Sequence, residues 1–435
     1  MKRKILLIVS SSNSIMRTVL KKANCSPNLG ILYIASVLKM HGYEVKVIDM
    51  LVEDFTVKNF INEVKDFNPD VVGVSIFTEA FDNAVEIIKL IKKNCTNVKI
   101  VAGGPHVTFE VENTLKEVAD IDYIIRYEGE FPFLLLLEHL NFPEEFPIDK
   151  VKGLVYRDKE SIKYNELHGY IHNLDALPFA AIGLIKVEKY KEVFALITSR
   201  GCPGDCVYCC SKAMAGNRYR YRSAENIISE VYYLYGKTNQ NLFEIYDDTF
   251  TVDKSRVERF CGLLKEINLP LIWRCQSRAD ILSYELIDML RESNCKYIHI
   301  GIESGSQIVL DNIGKKINLQ NALEKIRYAN KKGAYIFCSF IVGHHCDTKE
   351  TIESTLKLIK ELKAEGIDVG VAACTPYPGT YLNNNAEKLG LKIHAKKWRE
   401  YQFGNPIVSN SNVSLEELRD YLFRGYKGFF LPNDN

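Results

Sequence analysis

The stretch Thr198-Ser-Arg-Gly-Cys-Pro-Gly-Asp-Cys-Val-Tyr-Cys-Cys210 decides how the chain is read. It sets Cys202, Cys206 and Cys209 at spacings of four and three inside one glycine-containing loop. Residues 193–197, just before it, form an apolar run that reads as a buried strand. Three thiolates on a short loop can converge on one soft metal centre. A 4Fe–4S cluster is held by Cys thiolates and normally takes four. Cys210 is adjacent to Cys209, and neighbours in an extended loop point to opposite sides, so Cys210 is a poor fourth ligand. The spacing therefore predicts a 4Fe–4S cluster with one iron left open. The alternatives are a zinc site, which asks for two separated Cys/His pairs closing a tetrahedron, and thiols buried for structure alone.

The Cys-x3-Cys-x2-Cys pattern, with the aromatic Tyr208 before its last Cys, resembles the radical S-adenosylmethionine (radical SAM) superfamily. The resemblance implies that Cys202, Cys206 and Cys209 hold the cluster. It implies that the amino and carboxylate groups of SAM occupy the open iron, and that Tyr208 packs near adenine.

Composition limits the alternatives. A chain of 435 residues is long for one core and suits two large domains. Its 46% hydrophobic and 26% charged content is that of a soluble globular protein. A net charge of +1 gives no general pull toward nucleic acid or anionic membrane. After the basic start Met1-Lys-Arg-Lys only residues 5–9 are apolar, short of the roughly 7–15 of a signal peptide. No run approaches the roughly 20 apolar residues of a membrane span. Twelve cysteines without a secretion signal point to a reducing cytoplasm.

Residues 1–140 alternate strand-like apolar runs with helical patterns. Strands are expected at 5–9, 45–48, 71–76, 99–102 and 123–125, and helices at 29–40, 56–67 and 82–93. In the first helix Leu32, Ile34, Ala35, Val37 and Leu38 form the expected buried face. This βαβα order predicts an α/β fold with a doubly wound parallel sheet, which places ligands beyond the strand carboxyl ends. The turn after the first strand reads Ser10-Ser-Ser-Asn-Ser-Ile, not Gly-x-Gly-x-x-Gly, which argues against NAD.

This segment is similar to the cobalamin-binding domain found N-terminal to many radical SAM enzymes. The matching pieces are Pro27-Asn-Leu-Gly-Ile-Leu-Tyr-Ile-Ala35, His41-Gly-Tyr-Glu-Val-Lys-Val-Ile-Asp49, Val72-Gly-Val-Ser75, Ala102-Gly-Gly-Pro-His106 and Tyr127-Glu-Gly-Glu130. The similarity implies that Ser75, Gly103 and Gly104 line the pocket for the nucleotide tail of cobalamin. The best-known cobalamin domains carry Asp-x-His-x-x-Gly after the first strand, and that His ligates cobalt. Here no His lies between Met1 and Met40, so cobalamin is expected base-off, without a protein His ligand. His106 is read as a loop residue near the tail.

Residues 141–192 form a connector with a small hairpin at 153–164, followed by Leu174-Asp-Ala-Leu-Pro178, which matches the linker of this family. Residues 193–390 hold six strand candidates alternating with helices, which predicts a partial (β/α)6 barrel with its chemistry at the strand carboxyl ends. The strands are expected at 193–198, 242–247, 271–275, 297–302, 335–342 and 369–374. The second ends on Asp247 and Asp248, two carboxylates suited to the ammonium of an amino-acid-like ligand. The third ends at Arg278, able to pair a carboxylate bidentately. After the fourth, Glu303 and Ser304 can accept from and donate to ribose hydroxyls. The resemblance implies that Thr375-Pro-Tyr-Pro-Gly-Thr380 lies near adenine and substrate. After the fifth strand relatives read Gly-x-Pro-Gly-Glu-Thr, whereas this chain has Gly343-His-His-Cys346, a departure at the substrate side. Cys261, Cys275, Cys295, Cys338 and Cys374 sit in apolar runs and are expected in the core. Residues 391–435 read as a tail with a short helix near 415–424.

The resemblance implies a cobalamin-dependent radical SAM enzyme, most simply a methyltransferase acting on an unactivated carbon of a small molecule or peptide. Its electron donor would be a flavodoxin or ferredoxin. Alternative readings are a cobalamin-linked cyclase or rearrangement enzyme, a cobalamin-independent radical SAM enzyme, and an iron–sulfur electron carrier. A methylthiotransferase would need three further cluster cysteines in the first domain, where only Cys25 and Cys95 occur.

Overall fold

In the computed structural model the described residues are 2–11, 26–53, 55–159, 161–167, 169–190, 194–216 and 218–430. Cys25 and the turn after Ser11 lie outside them. The chain divides into two compact units, Met1–Val193 and Phe194–Asn435.

The first unit begins with β1 (Lys4–Val9), α1 (Leu29–Met40), β2 (Glu44–Asp49), α2 (Val57–Phe67) and β3 (Val71–Ser75). It continues through α3 (Phe81–Asn94), β4 (Lys99–Gly103), α4 (Pro105–Phe109), α5 (Val111–Glu117), β5 (Tyr123–Ile125) and α6 (Glu130–Asn141). β1 to β5 pair in parallel in the order β2-β1-β3-β4-β5, as the βαβα pattern predicts. Local chemistry sets the helix ends. Thr56 caps α2 by accepting the Asn59 amide, and Asn68 closes it in the left-handed region. The expected face of α1 is buried except for Ile34, which is half-buried. The connector hairpin, β6 (Leu154–Asp158) and β7 (Ser161–Tyr164), adds two antiparallel strands to the edge of this sheet. Those ladder hydrogen bonds carry the first unit past residue 140, the boundary that periodicity alone suggests.

The second unit holds six parallel strands in the order β15-β14-β13-β12-β11-β8. They are β8 (Phe194–Leu196), β11 (Leu242–Ile245), β12 (Ile272–Ser277), β13 (Cys295–Glu303), β14 (Tyr335–Val342) and β15 (Asp368–Ala373). Between β8 and β11 lie the short pair β9 (Ser199–Arg200) and β10 (Arg220–Tyr221), with α7 (Ser211–Ala215) between them and α8 (Ala224–Thr238) after. The crossovers that follow are α9 (Lys254–Glu266), α10 (Tyr284–Glu292), α11 (Gln307–Asn312), α12 (Leu319–Lys331) and α13 (Lys349–Ala364). Trp273 is wholly buried, stacks on Phe243 and takes Phe250 and Phe260 edge-on. Its indole N–H donates to the Ser293 carbonyl at 2.7 Å, so this large core side chain has no unmet polar atom. All five cysteines expected in the core are at most 2% exposed.

The tail departs from expectation. After α14 (Tyr381–Asn384) it forms a small antiparallel pair, β16 (Lys392–Ile393) with β17 (Val408–Ser409). The final helix, α15 (Leu415–Phe430), runs six residues beyond the expected end at 424. No described helix is long and apolar enough to cross a membrane.

Candidate active site

Asp247, just beyond β11, organises the approach to the cysteine loop. One carboxylate oxygen accepts the Thr198 amide at 2.6 Å and the Ser199 amide at 2.9 Å. The other accepts the two hydroxyls of the same residues at 2.5 and 2.6 Å, with the Arg256 guanidinium 3.7 Å away. A carboxylate has about four lone-pair directions, and all are taken. Asp247 therefore has no oxygen left for a ligand ammonium, and its role is to hold the turn from β8 into the loop. Asp247→Ala leaves these buried donors unmet. We expect it to lower the stability of this unit by about 3–5 kcal/mol, read by denaturant unfolding through Trp273 and Trp398, the two tryptophans of the chain.

The loop itself presents three sulfurs, each with a hydrogen-bonding neighbour. Cys202 Sγ accepts the Gly204 amide at 3.4 Å, and Cys209 Sγ accepts the Ser211 amide at 3.4 Å. Arg278 Nη1 lies 3.7 Å from Cys206 Sγ. Such N–H groups stabilise negative charge on sulfur, although at Cys209 burial outweighs the Ser211 amide and pushes the thiol up to about 12. Among the described residues no three His, Cys, Asp or Glu side chains converge on a single ion. The irons of a cluster occupy separate corners, so its thiolates stand farther apart than the ligands of one ion. The donor set of three thiols on one loop, each with a hydrogen-bonding neighbour, fits a cluster. Cys210 is the N-cap of α7.

Arg278 is bidentate, as expected, but toward a partner in its own chain. Its Nε and Nη2 reach the two Asp280 oxygens at 3.0 and 3.2 Å, and Nη2 also donates to the Lys315 carbonyl at 2.8 Å. It is not a free clamp for a ligand carboxylate. Its charge instead stands beside Cys206. Burial opposes that charge, but Asp280 and Cys206 outweigh it and hold the guanidinium pKa above its ordinary value. A Cβ on Gly204 would lie 2.5 Å from Arg278 Nη1, so glycine is what lets this held guanidinium approach the loop.

Asp248 differs from its neighbour. It is exposed, and one oxygen accepts the Ser211 hydroxyl at 2.5 Å. Protein atoms crowd it closely enough that burial raises its carboxyl above the ordinary range. The exposure is the more telling of the two, because a group open to solvent is open to a ligand. Glu303 sits at φ +72, a left-handed conformation that a glutamate rarely adopts, with the strand register shifting beside it. Its carboxylate is held by Lys315 Nζ at 2.8 Å, both side chains being under 10% exposed. Lys315 was not singled out from sequence. Its signal is Gly314-Lys-Lys316, a basic pair directly after a left-handed glycine. Ser304 does not face ligand space. It is 1% exposed, and its hydroxyl accepts the Ser306 amide and meets Thr355 Oγ1 at 3.2 Å.

The remaining loops close on the cysteine loop. Val207 donates its amide to the Ile313 carbonyl and accepts the Leu382 amide, which ties residues 375–380 to it through α14. The Tyr208 ring lies 5.5 Å from the wholly buried His344 ring. Burial pushes His344 down to about 4, so its imidazole is neutral. This turn is stapled by Asp347, which accepts the Gly343 and His344 amides at 2.9 Å each and the Thr351 hydroxyl at 2.7 Å.

In the first unit, Ser75 and Gly103 are register partners at the carboxyl ends of β3 and β4. Gly104 has φ +101, and a Cβ there would lie 2.8 Å from the Ile76 carbonyl oxygen. Only glycine lets the chain pass this close to the Ile76 backbone at the strand ends. His106 is 1% exposed, packs on Phe81 at 4.5 Å and meets Thr78 Oγ1 at 3.3 Å.

Comparison with known proteins matches both units. A family model for the B12 binding domain matches residues 18–137, and one for the radical SAM superfamily matches residues 196–359. The chain is 33% identical over 432 residues to the uncharacterized methyltransferase PH0819 of Pyrococcus horikoshii, covering 98% of this chain and 92% of that one. It is 27% identical to the anaerobic magnesium-protoporphyrin IX monomethyl ester cyclase of Rubrivivax gelatinosus, over 93% of this chain and 74% of that one. The fold is similar to that of OxsB, a cobalamin-dependent S-adenosylmethionine radical enzyme solved with aqua-cobalamin and S-adenosylmethionine. The TM-score is 0.78 at 19% identity, over 98% of this chain and 66% of that one. With a B12-binding unit, a cluster-ready cysteine loop and a similarity to PH0819 that runs through both, the chain belongs to the cobalamin-binding-domain radical SAM enzymes.

Proposed function

We propose that the chain methylates an unactivated carbon of a small molecule or peptide. The observation that carries this reading is the 98% coverage by a methyltransferase-named relative, through both units without a break. When bound, the cluster supplies the electron that cleaves SAM to methionine and a 5′-deoxyadenosyl radical, and cobalamin supplies the methyl group. A flavodoxin or ferredoxin suits the supply of electrons. The chain's own residues position and shield. Cys202, Cys206 and Cys209 hold the cluster, with Arg278 offsetting the negative charge of the thiolates. Asp248 receives the SAM ammonium. Glu303, fixed by Lys315, accepts from ribose, and Tyr208 covers adenine. Ser75, Gly103 and Gly104 line the cobalamin tail.

These roles predict that Asp248→Asn and Glu303→Gln each weaken SAM binding about tenfold or more, the worth of one hydrogen bond to a charged group. Equilibrium dialysis on the cluster-loaded protein measures it. Unchanged affinity in both variants would remove the two residues from the SAM site.

The function is tested by incubating reduced, fully loaded protein with SAM and an extract of cells lacking the gene. Methylation gives both 5′-deoxyadenosine and S-adenosylhomocysteine, because one SAM makes the radical and another restores the methyl group. Deoxyadenosine alone, with a substrate consumed, would favour the second reading, a cobalamin-linked ring closure, which the similarity to the cyclase recommends.

A further inference from the structure

Strand alternation sorts the second sheet into two faces. On β13, Ile298, Ile300 and Ile302 are wholly buried, whereas Tyr297, His299 and Gly301 are not. The open face carries three neutral polar residues in a row. Gln276 on β12 is in register with His299 on β13, His299 with Phe337 on β14, and Gly301 with Ser339, two residues further along β14. All three polar side chains are half-buried. None has a hydrogen-bond partner among the described residues, in a chain where most polar side chains do. Phe337 meets the His299 ring edge-on at 4.8 Å, and Tyr297 stacks on Tyr335 at 5.0 Å one layer below.

The cations near this wall are paired, and the Asp368 carboxylate, in register with Phe337, is exposed beside it. Arg274 Nε donates to Glu244 at 2.5 Å, and Lys315 pairs with Glu303 at 2.8 Å. Burial outweighs the pull of Glu303 on His299 and holds that imidazole below its ordinary pKa, so it is neutral near pH 7. An anionic ligand would find no unpaired cation here, and the Asp368 carboxylate would repel it. A neutral one would find two donors and acceptors on Gln276, one of each on His299, a hydroxyl on Ser339 and aromatic surface between them.

We propose that Gln276, His299 and Ser339, with Phe337, bind the reacting part of the substrate, and that this part is a flat or apolar group without negative charge, bearing hydrogen-bonding atoms. The proposal rests on the reading that the chemistry occurs at the Glu303 end of this same sheet. It narrows the substrate to chemistry that a carboxylate or phosphate at the reacting end would violate.

The test uses the full cluster-loaded chain with carbon-13-labelled histidine. Benzamide and benzoate serve as flat probes that differ in charge. The His299 ring signal is identified by its loss in His299→Phe, which keeps a flat ring beside Phe337. Benzamide is expected to shift that signal in a saturable way. Gln276→Leu and Ser339→Ala are each expected to weaken its binding about threefold to tenfold, the worth of one hydrogen bond. Benzoate is expected to bind at least tenfold more weakly. Equal binding of the two probes, a His299 signal that neither moves, or affinity untouched by both Gln276→Leu and Ser339→Ala overturns the proposal. The readout needs no turnover. A failure of methyl transfer therefore leaves a positive binding result standing, and a negative one leaves the methyltransferase reading intact.

Discussion

Cys202→Ala, Cys206→Ala and Cys209→Ala are each expected to lose the 4Fe–4S cluster, and SAM cleavage with it, whereas Cys210→Ala keeps both. Each of the three sulfurs has its own donor neighbour, Gly204, Arg278 or Ser211, whereas Cys210 begins α7 as its N-cap. A cluster left with two thiolates from one loop has too few anchors to survive purification. Iron content per chain and visible absorption of protein prepared without oxygen are the measurements. Iron retained in any of the first three variants would falsify the assignment of the loop.

The cysteine loop was legible because ligand spacing within one loop is a local property. The same holds for the strand and helix order, since periodicity reports burial directly. What the sequence could not disclose was which polar residues are consumed by the fold. Asp247 and Asp248 are neighbours and look equivalent. The structure fills every lone pair of Asp247 with Thr198 and Ser199 and leaves Asp248 exposed. Arg278 was read as a clamp for a ligand, but a carboxylate two residues on, Asp280, takes its fork. Ser304 is taken by Thr355, fifty-one positions away in sequence, a contact that no local pattern encodes. Lys315 became a site residue only because β13 and the loop after α11 bring it to Glu303. The hairpin expected at 153–164 forms, but its pairing with β5 was not legible, because strand pairing across a sheet edge leaves no mark in periodicity.

Cobalamin is expected to bind at about one per chain, base-off, with no protein imidazole on cobalt. The sequence from Met1 to Met40, which includes the loop after β1, contains no histidine. His106, close to the strand ends, is 1% exposed beneath Phe81 and Thr78, and burial pushes it down to about 4. That ring is locked into the protein and does not stand out toward a ligand. Bound so, cobalt would have no strong axial bond to break as its oxidation state changes, which would favour methyl transfer. The strand-end surface at Ser75, Gly103 and Gly104 would be left to hold the nucleotide tail. Ser10 steadies it by donating its hydroxyl to the Ser75 carbonyl at 2.8 Å. Gly104→Val places a branched side chain at φ +101 and into the Ile76 backbone, so it should reduce bound cobalamin to well below one per chain while leaving iron content unchanged. Visible absorption gives the base-off state. Electron paramagnetic resonance of the cobalt(II) form should show no nitrogen splitting from an axial imidazole. Such a splitting, lost in His106→Ala, would mean that the buried ring turns outward to cobalt. Full cobalamin content in Gly104→Val would mean that the tail lies elsewhere in the first unit.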